Sequence, residues 1–389
     1  LLALVRSYVE KSLEANRRSD SLYHSYNILD LSDGAAAIRR LPEMLEGQVA
    51  MLGSGQLDAQ ESLALLAGLR SSDLYRADQH SYMLYPDKVL AGFLDRNRIP
   101  GSRANRSALI GALVRAGDRR LIVRDVHGDL HFAADIRNAR DIEEILDQMA
   151  VEPQLEALVE TGRAEMLSIF EEVFNHSEFT GRSGSFFAYE GLGSIYWHMV
   201  SKLLLSVQET LERAVADGES PATVQALTEA YEDVRAGLGY SKPATVYGAF
   251  PTDPYSHTPA GHGARQPGMT GQVKEEVLTR LGELGLRVDD GQIVFAPIQL
   301  RASEWLEVPV TFDFIDVLGY SGQVDLSAGS LGFTFCQVPV VYHRAESLGV
   351  QVHLADGTVV DCPGARIGPD ISASIFERLG TVARIEVQI

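Results

Sequence analysis

Near residue 287 the hydrophobic period of this chain changes, and no other feature limits its fold so tightly. Up to about residue 240, apolar side chains recur at three- and four-residue spacing. The stretches are 36–50, 59–69, 105–116, 139–150, 153–174, 191–216 and 221–237. That spacing predicts amphipathic helices. After 287, short runs rich in Val, Ile and Phe alternate with Gly, Asp and Pro: GQIVFAPI, VPVTFDFI, LGFTFCQVPVVYH, GVQVHLADGTVVDC and ARIEVQI. Such runs predict strands, and a module made only of them predicts a β-sandwich. The expected fold is therefore α+β and multidomain. Residues 1–286 would supply a helical portion of an α/α toroid, a partial (α/α)6 barrel, and residues 287–389 a C-terminal β-sandwich. No repeat of fixed period suggests a solenoid.

Local signals sharpen the outline. Asp58 is placed to cap the 59–69 helix, and Ser220 followed by Pro221 is a standard helix start. RRLIVRD (119–125) and DLHFAAD (129–135) predict a hairpin turning at His127-Gly128-Asp129. Asp356-Gly357 predicts a second tight hairpin. SASIFERLG (372–380) reads as a short helix or turn before the last strand.

Composition excludes whole classes. The 389 residues are 45% hydrophobic and 22% charged, as in ordinary globular proteins, and the formal net charge is -19. That balance argues against nucleic acid or an anionic membrane as a partner through bulk charge. Cys336 and Cys362 are the two cysteines. Their apolar surroundings predict buried free thiols, and a reducing cytoplasm is the compartment that suits them. No apolar run approaches the length of a membrane span. The chain opens at Leu1 inside an amphipathic helix already in mid-stride, LLALVRSYVEKSLEANR. The expectation is a portion of a longer protein.

The segment that points most strongly to chemistry begins PTDPYSHTPAGHGARQPGMTGQVKEEVL at Pro251 and reaches Pro297. It packs Pro-flanked turns, His257, His262, Arg265 and Gln266 before a Thr270-Gly271 pair that opens a helix. The first N–H groups of a helix have no partner within it, so its start can receive an anion. Arg265 adds a bidentate donor suited to phosphate or carboxylate. The plain alternative is a capped turn before a core helix. Asp253 with His257 and His262 could suggest a metal. The H-x4-H spacing in a Pro/Gly loop is not a helical ligand pair, and no metal or other cofactor is expected.

GARQPGMTGQVKEEVLTRLGELGLRVDDGQIVFAPIQL resembles the end of the catalytic barrel in inverting glycoside phosphorylases. These are the cellobiose and β-glucan phosphorylases of glycoside hydrolase families 94, 149 and 161. The similarity covers roughly residues 240–389, and more loosely 160–240. It implies phosphate contact through the Thr270 hydroxyl and the Gly271 backbone, with Arg265 and Gln266 where the families carry polar pairs. His257 and His262 have no partner in the family pattern, although His262 shares the loop and stays a candidate for phosphate or substrate. A β module closing the chain also fits these families. Homodimers are common among them.

A second segment is RSGSFFAYEGLGSIYWHMVSKLLLSVQE, 182–209. The resembling families place a phosphate-contacting His after a loop of this kind. Here Tyr189 follows GSFF, and His198 lies further along, so either residue could take that role. Glu190 stands near the predicted helix start, where the dipole favours a carboxylate. Trp197 and His198 as plain core residues are the competing view. A third segment, LYRADQHSYMLYPDK (74–88), clusters Arg76, Asp78, Gln79 and Tyr82 in a mixture suited to sugars. Its competing view is a surface-to-core crossover anchored by tyrosines.

An inverting phosphorylase needs one carboxylic acid, with phosphate as the nucleophile. The resemblance implies phosphate-dependent cleavage of β-glucosides or β-glucan oligosaccharides to a sugar 1-phosphate. Inorganic phosphate would be the co-substrate and an oligosaccharide the partner. No residue here matches the family's acid, which is expected upstream of Leu1, so this stretch alone is expected to be inactive. Two other functions compete. One is an α/α-toroid glycoside hydrolase or polysaccharide lyase. The other is a non-catalytic carbohydrate-binding remnant.

Overall fold

The structure is a computed structural model describing residues 1–25, 27–31, 34–87, 92–175, 193–268 and 271–389. Helices form where the apolar period predicts them: Ala59–Ser71, Ala108–Ala116, Ala139–Ala150, Glu156–Phe174, Trp197–Ala216 and Pro221–Ala236, and Gly271–Glu283 is the helix expected from the Thr270-Gly271 pair. Two starts depart from the prediction. Over 36–50 the helix begins only at Leu45, and Ala37–Arg39 is instead a strand paired with Ile28–Asp30. Pro42 lies between them, and the residue before a proline is pushed out of the α region. Over 191–216 the helix begins at Trp197, because Ile195–Tyr196 pairs into a sheet.

The caps follow the local signals. The Asp58 carboxylate accepts from the Glu61 N–H, and the Glu61 carboxylate accepts from the Asp58 N–H, closing a capping box. Ser220 Oγ accepts from Thr223 N, with Pro221 just inside the helix. The 119–135 hairpin is Ile122–Arg124 against Leu130–Phe132, and the Asp125 carboxylate accepts from the N–H groups of His127 and Asp129 in its turn.

Two compact units divide the chain. Residues 24–43 and 85–194 form one, and 1–23, 44–84 and 195–389 form the other. The first has its own core. Leu109, Leu113, Phe132, Ile142, Leu146, Met166, Ile169 and Phe170 are all buried there. Gly162 lets the Glu156–Phe174 helix lie against Leu109, whose Cβ would be 3.1 Å from any added Cβ. The change from helix to strand near 287 falls inside the second unit. The 105–116, 139–150 and 153–174 helices, which were grouped by period with the rest of the helical stretch, belong to the first.

In the larger unit the Trp197–Ala216 helix is central. The 45–53, 59–71, 221–236 and 271–283 helices all pack on it, and Trp197, Val200, Leu203, Leu204, Val207 and Leu211 are buried. Gly282 brings the 271–283 helix onto the Gln208 side chain, which donates to Thr279 O (2.9 Å) and Gln299 Oε1 (3.0 Å).

The strand-rich part carries a five-stranded sheet in the order Ser330–Phe335, Val338–His343, Val382–Gln388, Gly349–Leu354, Val359–Cys362. The 338–343 and 382–388 strands run parallel and the other pairs antiparallel. A parallel neighbour needs a crossover. The intervening chain, which includes the helix Pro369–Phe376, supplies it. Asp356-Gly357 turns between 349–354 and 359–362 as predicted, with Gly357 at φ +91. Cys336 and Gln337, both at positive φ, form the tight turn of another hairpin. Both cysteines are free, as expected; Cys362 is buried, but Cys336, in that hairpin turn, is only half-buried. The architecture is α+β. Among the described residues, no helix is long and apolar enough to cross a membrane.

Candidate functional site

A small three-stranded sheet organises the polar loop that the sequence singles out. Ile195 and Tyr196 pair with Thr258 and His257, and the Tyr255–Thr258 strand pairs in turn with Arg265–Pro267. Its central strand is tied down firmly. Trp197 Nε1 donates to Thr258 Oγ1 (2.9 Å), and the Arg76 guanidinium donates to Thr258 O (2.9 Å). Gly248 and Gly263 meet backbone to backbone, since a Cβ on Gly263 would lie 2.7 Å from the Gly248 Cα. That contact, with Ala264 N donating to Tyr247 O (3.0 Å), pins the 259–264 turn.

A polar chain runs along the outer side. The His257 ring stacks on Tyr196 at 4.9 Å and 13°. His257 Nδ1 faces Gln266 Oε1 at 3.2 Å, and Gln266 holds φ at +59. A left-handed non-glycine residue is strained, and strain of this kind concentrates at functional sites. Burial lowers the His257 pKa, with the Gln266 hydrogen bond opposing it. The Tyr196 hydroxyl lies 3.4 Å from His198 Nδ1, and His198 Nε2 lies 3.3 Å from Glu275 Oε1. The same carboxylate oxygen meets Lys274 Nζ at 3.1 Å. Next to it, Glu276 accepts from Gln272 Nε2 (2.7 Å) and Ser201 Oγ (3.5 Å), and burial pushes its carboxyl up.

The decisive contact is between Gly271 and His198. A Cβ on Gly271 would fall 2.2 Å from His198 Cε1. The first residue of the 271–283 helix thus rests directly against the imidazole, and only glycine fits. The donor-rich start of one helix meets the edge of an imidazole from another.

The predicted residues divide as follows. His198 and Gly271 touch. Arg265 and Gln266 stand exposed on the edge strand, and His262 is exposed in the turn, its N–H donating to Pro259 O. Tyr189, Glu190 and Thr270 lie outside the described residues. In the third segment, Arg76 is buried and braced by Asp78 (2.9 and 3.0 Å) as well as Thr258. Gln79 Nε2 donates to Val246 O (2.8 Å). Tyr82 is buried edge-on to Tyr75, and burial pushes its hydroxyl up to about 12. These side chains brace the inside of the unit. Sequence reasoning passed over Tyr196, Lys274 and Glu275. A usable signal was there for Glu275, which falls four residues after Gly271 and so shares its helix face.

One other ionisable cluster is larger but closed. Glu283, 3% exposed at its side chain, accepts from Tyr231 (2.7 Å), Arg235 (2.8 Å), Arg280 (2.8 Å) and Arg301 (3.4 Å). Glu304 and Glu232 pair with Arg280 and Arg301. Three arginines balance three carboxylates, and the Glu283 oxygens are fully used, which is the pattern of a structural lock. Among the described residues, no group of three or more His, Cys, Asp or Glu is arranged to hold a metal.

Residues 90–177 match the family model of GH149 phosphorylase insertion domain 2. The match lies within the part of the smaller unit formed by 85–194. It supports a glycoside phosphorylase-like function. No curated protein matches the chain. The geometry also suits an inserted domain, because Met83 and Ile195 form an antiparallel bridge. The chain therefore leaves and rejoins the larger unit at neighbouring points.

Proposed function

We propose that this chain is part of an inverting glycoside phosphorylase that cleaves β-linked glucosides or β-glucan oligosaccharides with inorganic phosphate. The observation that carries this is the Gly271–His198 contact. It joins the helix start that the resemblance relates to phosphate with His198, one of the two candidates, beside Tyr189, for the family's phosphate-contacting position, from segments more than seventy residues apart. Phosphate would sit at the Gly271 N–H, with the Thr270 hydroxyl, Arg265 and Gln266 as further donors. His198 forms the wall of that site. Its two ring nitrogens face Tyr196 and Glu275, so its part is to shape the site.

Phosphorolysis depends on holding the nucleophile in line, and fixed donors do that without proton transfer. The general acid is not assigned to any residue of this chain. The helices of the larger unit would be part of an α/α toroid, and the strands beyond 287 a sandwich module beside it. The test is calorimetric titration of inorganic phosphate into the chain and into Arg265→Ala and His198→Gln. Saturable binding weakened in both variants supports the site. Binding indifferent to both changes contradicts it.

A further inference from the structure

We propose that Glu275 is a positioning residue for this anion site and acts through His198. The proposal rests on the reading that Gly271 receives phosphate and that His198 shapes its site. The Glu275 side chain is 5% exposed, and a carboxylate is that deeply buried only where it has partners. A single oxygen, Oε1, serves two of them: His198 Nε2 at 3.3 Å and Lys274 Nζ at 3.1 Å.

The ring is held from three directions. The carboxylate lies at Nε2, the Tyr196 hydroxyl at Nδ1 (3.4 Å), and the Gly271 backbone against Cε1. When Nε2–H donates to Glu275, Nδ1 accepts from the Tyr196 hydroxyl, which selects one tautomer. Tyr196 is itself fixed by its stack on His257. A negative charge beside an anion site is a liability by Coulomb's law alone. Here Lys274 shares the same oxygen and offsets that charge. What remains is geometric. Without the carboxylate, nothing on the 271–283 helix holds Nε2, and the imidazole is free to turn away from Gly271.

Inorganic phosphate titrated into the full chain, Glu275→Ala, Glu275→Gln and His198→Gln tests this, with the His198 tautomer read from ¹⁵N shifts. Loss of a hydrogen bond to a charged group predicts about tenfold weaker phosphate binding in Glu275→Ala. Glu275→Gln keeps an acceptor for Nε2–H, so it should retain most of the affinity and the Nε2–H tautomer. Tighter binding in both Glu275 variants would show that the carboxylate only repels the anion, and would overturn the proposal. So would weaker binding with an unchanged His198 tautomer. If Glu275→Ala does not fold, an Nδ1–H tautomer in the unsubstituted chain overturns it equally. No phosphate binding by the unsubstituted chain, or unchanged binding in His198→Gln, would overturn the anion site itself.

Discussion

At the scale of single residues, Gly271 and Glu283 show how position overrides propensity. Alanine normally stabilises a helix over glycine by about 1 kcal/mol. At 271 the added Cβ would overlap the His198 ring, and forced overlap costs about 1–3 kcal/mol. Gly271→Ala should therefore lower the thermal midpoint as well as displace His198, and differential scanning calorimetry checks the sign. Glu283 is governed by charge. Burial pushes its carboxyl up, but hydrogen bonds from Arg280 and Tyr231 and the charges of Arg235 and Arg280 outweigh this and hold it below its ordinary 4.5. A carboxylate depressed in the folded state contributes stability that is complete above its ordinary pKa and is lost as pH falls through the folded value. Glu283→Gln leaves three arginines short of one charge, and should cost about 3–5 kcal/mol near neutral pH. In urea unfolding, that gap between the two proteins should be full above the ordinary carboxylate value and shrink as pH falls below it, by no more than about 1.4 kcal/mol per pH unit. A gap independent of pH would contradict the assigned charge.

At the scale of elements, what the sequence made legible was local. Asp58, Ser220-Pro221 and Asp356-Gly357 each act within a few residues, and each does what its chemistry predicts. The 36–50 stretch was misread because apolar spacing was weighed over Pro42, which separates a strand from a helix. The Glu275–His198 pair was not legible, because its partners are brought together by packing of the 197–216 and 271–283 helices and not by spacing along the chain. Nor does period reveal which core a helix serves. The 108–116, 139–150 and 156–174 helices have the same apolar stripe as the others, yet they close a core of their own. The Met83–Ile195 bridge carries a prediction. Antiparallel partners lie only about 5 Å apart, so a short Gly/Ser turn can replace 85–194. The remaining chain should keep a cooperative thermal transition. Loss of any such transition would mean that the larger unit does not hold its core alone.

At the scale of the whole molecule, one family match and one contact bear on the proposal. Residues 90–177 match a phosphorylase insertion domain. The Gly271–His198 contact is the observation behind the proposed phosphate site. The formal net charge of -19 fits a neutral glycan better than a polyanion. The most direct measurement is product analysis by ³¹P NMR. The full natural chain would be incubated with β-linked glucooligosaccharides, with and without inorganic phosphate. The account predicts a sugar 1-phosphate of inverted anomeric configuration that forms only when phosphate is present. Release of free sugar at the same rate without phosphate would contradict it and point to a hydrolase.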